Sequence, residues 1–246
     1  MEWSEEGILL SVRPHGEGAA VLSLMTRGHG RHHGLAKGAT SRSAGGRYQP
    51  GNRLLVTWRG RLSEHLGHFT CELVDCPMAR LLEDALRLAG MTAALAVTET
   101  ALPEREPHVA VHDGLEGLIH RLAAGDPGWL AHYARWELAL LAELGYGLDL
   151  ANCAVTGERD GLAYVSPKTG RAISAEGAGQ WRERLLPLPA FLLRADAAEP
   201  DPAALGDALA LTGYFLERHV FPTRTGRPGA PPARERLVQR LGRFRA

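Results

Sequence analysis

The chain has 246 residues, 45% of them apolar and 23% charged, a length that suits one large domain or two small ones. No run approaches the ~18 apolar residues that cross a bilayer, and the opening Glu2, Glu5 and Glu6 are unlike the basic start of a secretory signal. Three cysteines are too few for a disulfide framework and favour a reducing cytoplasm, while a net charge of zero taken alone argues against a nucleic-acid-binding protein.

The zero net charge conceals a gradient along the chain. Residues 1–80 carry a net charge of +3, residues 81–205 carry −8, and residues 206–246 carry +5. Such asymmetry indicates contact with nucleic acid, although a solvated basic face is the alternative. Residues 27–61 contain eight basic residues and no acidic residue, and we expect these eight to bind DNA: Arg27, Arg31, Lys37, Arg42, Arg47, Arg53, Arg59 and Arg61.

Residues 1–78 have the pattern of a small β domain. Five short runs, at 7–12, 20–26, 31–37, 53–61 and 65–74, alternate with glycine-rich turns. Five such strands suit a closed barrel of the OB-fold type. With the helical pattern that follows over residues 79–246, the sequence predicts an α+β protein of two domains.

The fourth run is the most informative of the five. Because strand side chains alternate between faces, Leu54, Val56 and Trp58 are predicted to face the core. The other face holds Leu55, Thr57 and three guanidiniums, which repel one another unless an acid or a phosphate lies over them. Stacking residues are few, so any binding should be mostly electrostatic. Contact with roughly five phosphates would give a log–log salt slope of about −3.5 on single strands and about −4.5 on duplex.

The remaining chain has helical periodicity. One helix is predicted from Pro77 onward, with Leu81 and Leu82 on one face, and another over residues 112–124. Two Asp-Pro pairs, at 126–127 and 201–202, are typical helix starts. A proline- and glycine-rich linker over residues 222–232 precedes a last, arginine-rich helix.

Catalytic signatures are absent from the sequence. His29, His32 and His33 have no nearby carboxylate to complete a metal site, and Cys71 and Cys76 lack the close spacing of a zinc pair. No nucleophile elbow, zinc-protease motif or phosphate-binding loop occurs. We therefore expect a binding protein and not an enzyme, without cofactors; a metal-dependent hydrolase that uses the histidines is a distant alternative.

Three blocks carry a resemblance that runs nearly end to end: EGILLSVRPHGEGAAVLSLMTRGHGRHHGLAKGATS, ARWELALLAELGYGLDLANCAVTG and PPARERLVQRL. In order and spacing the chain resembles RecO-type recombination mediators. The resemblance implies a non-enzymatic, cytoplasmic and nucleoid-associated protein of DNA repair. It implies binding of single- and double-stranded DNA, annealing of strands coated by single-strand-binding protein (SSB), and loading of RecA together with RecR.

The same resemblance implies recognition of the acidic C-terminal tail of SSB. An acidic peptide with an apolar end needs an apolar groove rimmed by guanidiniums. Arg135, beside Trp136, and Arg121 are the candidates that we assign to this tail. The alternative for Arg135 is an ion pair with a neighbouring carboxylate such as Glu137 or with one on another helix.

One departure from the family concerns metal. Many members carry two C-x-x-C pairs after the LGYG segment, but here only Cys153 matches, with Thr156 and Ser174 at the second and third ligand positions. One thiol cannot hold zinc tetrahedrally, so we predict no metal and a hairpin at about 150–175 that is held by packing. The alternative function is an adaptor whose helical domain docks repair partners, with only incidental DNA contact.

Overall fold

A computed structural model describes residues 1–41, 44–62, 64–194, 199–221 and 229–243; of the predicted DNA-binding residues, Arg42 lies outside this part of the chain. Contacts divide the chain into two compact units, Met1–Asp126 and Pro127–Ala246, and each is described by itself. The predicted boundary at residue 78 separates fold types and stays a prediction, since the first compact unit contains the β domain together with the two helices that follow it.

The first unit is built on a closed five-stranded barrel. Its strands are β1 (Glu2–His15), β2 (Ala19–Thr26), β3 (Gly30–Lys37), β4 (Arg53–Arg59) and β5 (His68–Asp75). The strand order around the barrel is β1-β2-β3-β5-β4. All neighbours are antiparallel except β3 and β5, which meet in parallel at Leu35 and His68. This confirms the predicted OB-fold, in which closure leaves no exposed sheet edge.

The barrel core follows the alternation of β4. Leu54, Val56 and Trp58 are buried, as predicted, and Leu55 is exposed. The indole Nε1 of Trp58 donates to the carbonyl of Leu66 at 3.1 Å, which satisfies its one polar atom. On β3, a Cβ at Gly34 would come within 2.5 Å of the Phe69 ring, so only glycine allows that close packing.

Two helices, α1 (Ala85–Ala101) and α2 (Val109–Ala124), complete the first unit. The prediction of one helix from Pro77 onward is wrong: a 3₁₀ helix, Pro77–Leu81, comes first and α1 begins only at Ala85. The break lies at Asp84, whose extended backbone lets its carboxylate accept from the amides of Leu86 and Arg87. Leu82, predicted on the buried face, is consequently 66% exposed.

The second unit is mainly helical. It contains α3 (Trp129–Glu143), α4 (Ala175–Ala178), α5 (Ala190–Leu193), α6 (Pro202–Phe215), which continues into a π-helical turn at Leu216–Val220, and α7 (Pro232–Arg243). Asp201 caps α6 by accepting from the amide of Ala204 at 2.7 Å, as the Asp-Pro pair predicts. At the first Asp-Pro pair the prediction fails, because α3 starts two residues later, after Gly128, and Asp126 pairs with Arg121 instead.

A buried ion pair anchors α7. Nε and Nη2 of Arg234 donate to the two carboxylate oxygens of Glu137 at 2.7 and 2.8 Å, and both side chains are buried. Nη2 also donates to the carbonyl of Leu209, and Thr212 donates its hydroxyl to Glu137. This network uses one arginine of the basic C-terminal segment inside the helical core. None of the helices in the described ranges is long and apolar enough to span a membrane.

A small sheet completes the second unit. The predicted hairpin is present as β6 (Leu162–Val165) and β7 (Ala172–Ser174), and a third strand that the sequence did not reveal, β8 (Leu186–Pro187), pairs with β6. A 3₁₀ helix, Gly179–Arg184, lies between α4 and β8. Cys153, Ile173 and Ala178 form the buried cluster under this sheet, with Tyr164 and Leu185 packed against it.

Candidate nucleic-acid interface

The strand β1 brings carboxylates to the arginines of β4. In the antiparallel register of these two strands Glu2 lies opposite Arg59, and the Arg59 Nη2 donates to the Glu2 carboxylate at 2.9 Å. Arg53 of β4 pairs with Glu6 of β1 and, at 3.4 Å, with Glu116 of α2. Two of the three guanidiniums on this face of β4 are therefore neutralised within the protein, by carboxylates of β1 and α2 that the sequence pattern did not identify as their partners.

Two further arginines are also held internally. Arg27 makes a bidentate pair with Asp113 of α2, at 3.0 and 3.1 Å. The Nε of Arg31 donates to the carbonyl of Leu102 at 3.0 Å, and only 11% of the Arg31 side chain is exposed. Arg31 thus joins β3 to the end of α1 and presents little surface to a phosphate.

Three of the predicted cations remain open to solvent. Lys37 ends β3 and Arg61 follows β4; both are exposed, and neither has an ion pair among the described residues. Arg47 is exposed as well, with one donor to the Cys71 carbonyl at 3.3 Å and its Cζ 5.8 Å from the centre of the Tyr48 ring. Among the predicted DNA-binding residues that the structure describes, these three are exposed and have no carboxylate partner.

The open cations border two adjoining depressions on the barrel surface. One contains Lys37, Arg47 and Arg59, the other contains Arg59 and Arg61, and both contain His68. We call the combined surface the basic groove, defined by Lys37, Arg47, Arg59, Arg61, His65 and His68. Glu2 is the single carboxylate among the described residues that line it. The groove runs along β3, β5 and β4, so one face of the barrel can follow a phosphate backbone.

The histidines have separate partners. His29 stacks on Trp3, with ring centres 4.1 Å apart, and its Nδ1 lies 2.8 Å from Glu5. His32 is buried between Trp3 and Trp58, and this burial lowers the pKa of its imidazole. His33 lies between Glu99 and Glu104. The three imidazoles serve the packing of the barrel and do not share a site.

A possible ligand cluster that the sequence did not reveal lies on α2. Single atoms of His112, Asp113 and Glu116 approach within 4.8 Å of one another. Asp113 is nevertheless bound to Arg27 and Glu116 to Arg53, so guanidiniums already supply the counter-charge. These acids therefore act as partners of the barrel arginines.

The two arginines assigned to a partner's acidic tail belong to different compact units. Arg121 pairs with Asp126 and lines a cleft of about 590 Å³ in the first unit. The cleft has an apolar floor of Ile8, Pro77 and Ile119, a basic rim that includes Arg53, Arg80 and Arg121, and four acids: Asp75, Asp113, Glu116 and Asp126. An apolar floor beside guanidiniums is the chemistry that a peptide with a carboxylate and an apolar end requires.

Arg135 lies in the second unit. Its Nε and Nη2 donate to the carbonyl of Phe191 at 3.1 and 2.9 Å, and its Cζ lies 5.5 Å from the centre of the Phe191 ring. The alternative that Arg135 pairs with Glu137 is wrong, because Glu137 faces Arg234 in the buried pair. Arg135 is half-buried and retains a partly accessible guanidinium.

The positions at which the resemblance would place metal ligands lie around Cys153. Its Sγ accepts from the amides of Ser174 at 3.1 Å and Thr156 at 3.5 Å. Burial alone would raise the pKa of this thiol, but these hydrogen bonds outweigh it and lower the pKa to about 6. The hydroxyl of Ser174 accepts from the amide of Gly177 and is thereby committed to capping α4. One thiolate without further soft donors does not fit tetrahedral zinc, so the absence of metal stays our prediction.

Comparison with known proteins gives a consistent result over the whole chain. The family profile described as Recombination protein O N terminal matches residues 1–77, and that described as Recombination protein O C terminal matches residues 82–228. The chain is 46% identical over 250 residues to the DNA repair protein RecO of Rhodospirillum rubrum, covering 100% of this chain and 98% of that protein. It is 49% identical over 243 residues to the DNA repair protein RecO of Cereibacter sphaeroides, covering 99% and 100%.

Proposed function

The chain belongs to the recombination protein O family of DNA repair proteins, and from this membership we propose that it is a recombination mediator without catalytic activity of its own. It binds single- and double-stranded DNA, anneals complementary strands, and helps to load RecA onto SSB-coated DNA together with RecR. The observation that carries the DNA-binding part is the basic groove, where Lys37, Arg47 and Arg61 are exposed and the lining contains one carboxylate.

Electrostatics explains how the groove can serve annealing. Lys and Arg that contact phosphates release condensed counterions whatever the base sequence, so affinity is salt-dependent and sequence-tolerant. An annealing factor must hold strands of any sequence and leave their base edges free to pair. A groove that contacts the backbone and offers one half-buried aromatic side chain, Tyr48, meets both requirements.

The paired arginines extend this surface. The side chains of Arg27 and Arg59 are 58% and 66% exposed, and ion pairs at such exposure contribute little to stability. A phosphate backbone can therefore replace the carboxylates of Asp113 or Glu2 at small cost. On this view the open cations make the first contact and the paired arginines add contacts where the strand displaces an acid.

We propose that the acidic tail of SSB binds through Arg121 or Arg135. The cleft beside Arg121 offers the apolar floor and the guanidinium rim that such a tail requires. Arg135 offers a guanidinium stacked beside Phe191. Replacing each arginine by alanine separately, and measuring binding of the tail peptide and of naked DNA, identifies the site, because the true contact weakens peptide binding and spares DNA.

The adaptor alternative is favoured by one observation. Arg27, Arg53 and Arg59 all have carboxylate partners, which would be unnecessary if their purpose were to bind phosphate. An adaptor would dock RecR and SSB through the helical part of the chain and touch DNA incidentally. The two functions differ in whether strand annealing depends on the groove.

The test removes two open cations. Replacing Lys37 and Arg61 together by alanine should make the log–log salt slope on single-stranded DNA shallower by about 1.4, since each phosphate contact contributes about 0.7. Strand annealing, with and without SSB, should slow accordingly. The matched control replaces Arg159 and Lys168, which are exposed and have no ion pair in the described part of the chain. Unchanged annealing in the groove variant, with partner binding intact, would support the adaptor instead.

A further inference from the structure

Trp181 is an exposed aromatic side chain in the second unit. It lies in the 3₁₀ helix Gly179–Arg184, and 54% of its surface is open to solvent. Single exposed apolar residues are common and need no explanation by themselves. What distinguishes Trp181 is its neighbourhood, because two arginines of the same short helix lie over aromatic rings.

Each of the two arginines lies over an aromatic ring. The Cζ of Arg184 lies 5.3 Å from the centre of the Trp181 ring, and the Cζ of Arg182 lies 5.6 Å from the centre of the Tyr164 ring. Within the described ranges neither arginine pairs with a carboxylate, in contrast to Arg27, Arg53 and Arg59 of the barrel. Glu183 stands between them, so the helix carries two positive charges and one negative charge.

We propose that Trp181, Tyr164, Arg182 and Arg184, together called the Trp181 patch, form a binding site for an unpaired nucleotide of single-stranded DNA. The base stacks on the indole, and the guanidiniums contact the flanking phosphates. A guanidinium that stacks through its face keeps its N–H donors directed outward from its edge, where a phosphate oxygen can accept them. The inference rests on the proposed function only because it assumes that the protein encounters single-stranded DNA. The residues of the Trp181 patch are separate from those of the basic groove.

Single-stranded nucleic acid fits this patch better than other ligands. Binding of single strands combines positive charge with aromatic platforms, because every base has a π-face. In the basic groove the positive charge is present, but among the described residues that line it there is no tryptophan, Phe69 is buried and Tyr48 is half-buried. Duplex DNA keeps its bases stacked inside the helix, so it can contact the arginines but cannot use the indole.

Backbone pairing and packing anchor the segment that carries the patch. The amide of Leu185 donates to the carbonyl of Arg182 at 3.2 Å, which closes the 3₁₀ helix. The chain then enters β8, which pairs with β6 where Tyr164 lies opposite Pro187. Leu185 and Tyr164 pack on the buried cluster around Cys153. Because the backbone on both sides of the patch is held by hydrogen bonds, less backbone entropy is lost when a base stacks.

The test compares Trp181→Ala with Trp181→Phe in the full chain, using a short oligo-dT strand and a duplex of equal length. Loss of one stacked base corresponds to about a 5- to 150-fold weaker affinity, so we expect at least about a fivefold loss for Trp181→Ala on oligo-dT and near-normal binding for Trp181→Phe. Duplex binding should change much less. Indole fluorescence quenched by oligo-dT should diminish in Trp181→Phe although binding persists.

A second variant, Arg182→Gln with Arg184→Gln, should make the salt slope on oligo-dT shallower by about 1.4, since each phosphate contact contributes about 0.7. Arg159→Ala, an exposed arginine of the same unit, is the matched control. The proposal is overturned if Trp181→Ala binds oligo-dT as the wild type does, if it loses duplex binding equally, or if it loses binding of the SSB tail peptide alone. Failure of the proposed function is a different result, in which wild-type protein does not anneal or the Lys37 and Arg61 variant is unaffected.

Discussion

Arg59 and Arg61 lie two positions apart, yet their surroundings differ because of strand register. Arg59 is still in β4, and the antiparallel pairing places Glu2 of β1 directly opposite. Arg61 lies beyond the last paired residue of β4, and among described residues no carboxylate reaches it. At this scale the distinction between a neutralised arginine and an available one is decided by the pairing partner across the ladder.

Glu99 of α1 shows that spatial partners also decide the pKa of a carboxyl group. Burial alone would raise the pKa of this carboxyl, but the His33 imidazole, the Arg13 guanidinium at 2.8 Å and the Ser11 hydroxyl at 3.1 Å outweigh it and lower the pKa to about 2. A lowered folded-state pKa stabilises the protein above the ordinary value of 4.5, and this stabilisation is lost as the pH falls towards 2. The Glu99 side chain is only 18% exposed, so solvent screens these contacts little. The lowered pKa therefore corresponds to about 3 kcal/mol of folding free energy.

Glu99→Gln should therefore flatten the acid dependence of stability. In the wild type the free energy of unfolding should fall steeply between pH 4.5 and about 2, and in the variant it should fall less by about 3 kcal/mol over that window. Denaturant unfolding at a series of pH values measures the difference. Glu72→Gln, an exposed position on β5, is the control. Parallel curves for Glu99→Gln and the wild type would contradict the assigned contacts.

At the scale of elements, the loops of the hairpin after α3 bring two pairs of positions, each three residues apart, around the Cys153 sulfur. Cys153 and Thr156 form one half, and Ser174 with Gly177 forms the other, at equal spacing. A Cβ at Gly177 would lie 3.0 Å from the Cys153 Sγ and 3.1 Å from the Ser174 Oγ. Hydrogen bonds to sulfur and the cap of α4 hold the loops where zinc would otherwise do so.

Replacing Thr156, Ser174 and Gly177 together by cysteine should accordingly create a zinc site. Four thiolates around one point satisfy tetrahedral coordination, so we expect about one zinc per chain and a melting temperature that a chelator lowers. Elemental analysis after dialysis and thermal unfolding with and without chelator provide the measurements. Thr156→Cys alone is the control and should stay substoichiometric, as should the wild type. Stoichiometric zinc in the wild type would refute the prediction that it binds no metal.

At the scale of the whole molecule, several of the acids that bring the net charge to zero pair with arginines of the barrel. The first compact unit contains the basic stretch, yet it has 13 basic and 15 acidic residues, because α1, α2 and their loops add mostly acids. Asp113 and Glu116 of α2 reach Arg27 and Arg53 of the barrel. The acidic segment after residue 80 is therefore in part a counter-charge to the barrel, and three open cations would give a single-strand salt slope near −2 instead of about −3.5.

Releasing the paired arginines should strengthen DNA binding. Glu6→Gln, Asp113→Asn and Glu116→Gln together free Arg27 and Arg53, so the single-strand salt slope should steepen by about 1.4 and low-salt affinity should rise. Titrations over a range of salt concentrations measure both quantities. A control that changes net charge equally at exposed acids elsewhere, Glu83→Gln, Asp160→Asn and Glu176→Gln, separates local release from overall charge. Equal gains in both variants would show that Arg27 and Arg53 do not contact DNA.

The sequence by itself determined the barrel, most helices and the hairpin, because period-two and helical patterns, turns and caps are local signals. It predicted the inward face of β4 and the cap at Asp201 correctly. It failed at Asp84, where a capping side chain interrupts a continuous helical pattern. Family membership also followed from the order and spacing of sequence motifs, which can be read without knowing any tertiary contact.

Only the tertiary structure decided which charges are available. Glu2 and Arg59 are far apart in the chain but adjacent across a strand ladder. Asp113 and Arg27, and likewise Glu137 and Arg234, are also far apart in the chain and meet through the packing of helices. The Trp181 patch likewise depends on β8, a two-residue strand without a sequence signal, which brings the 3₁₀ helix beside Tyr164. Charge along a chain is a sum over residues, whereas the potential at a surface depends on distances, and distances are set by the fold.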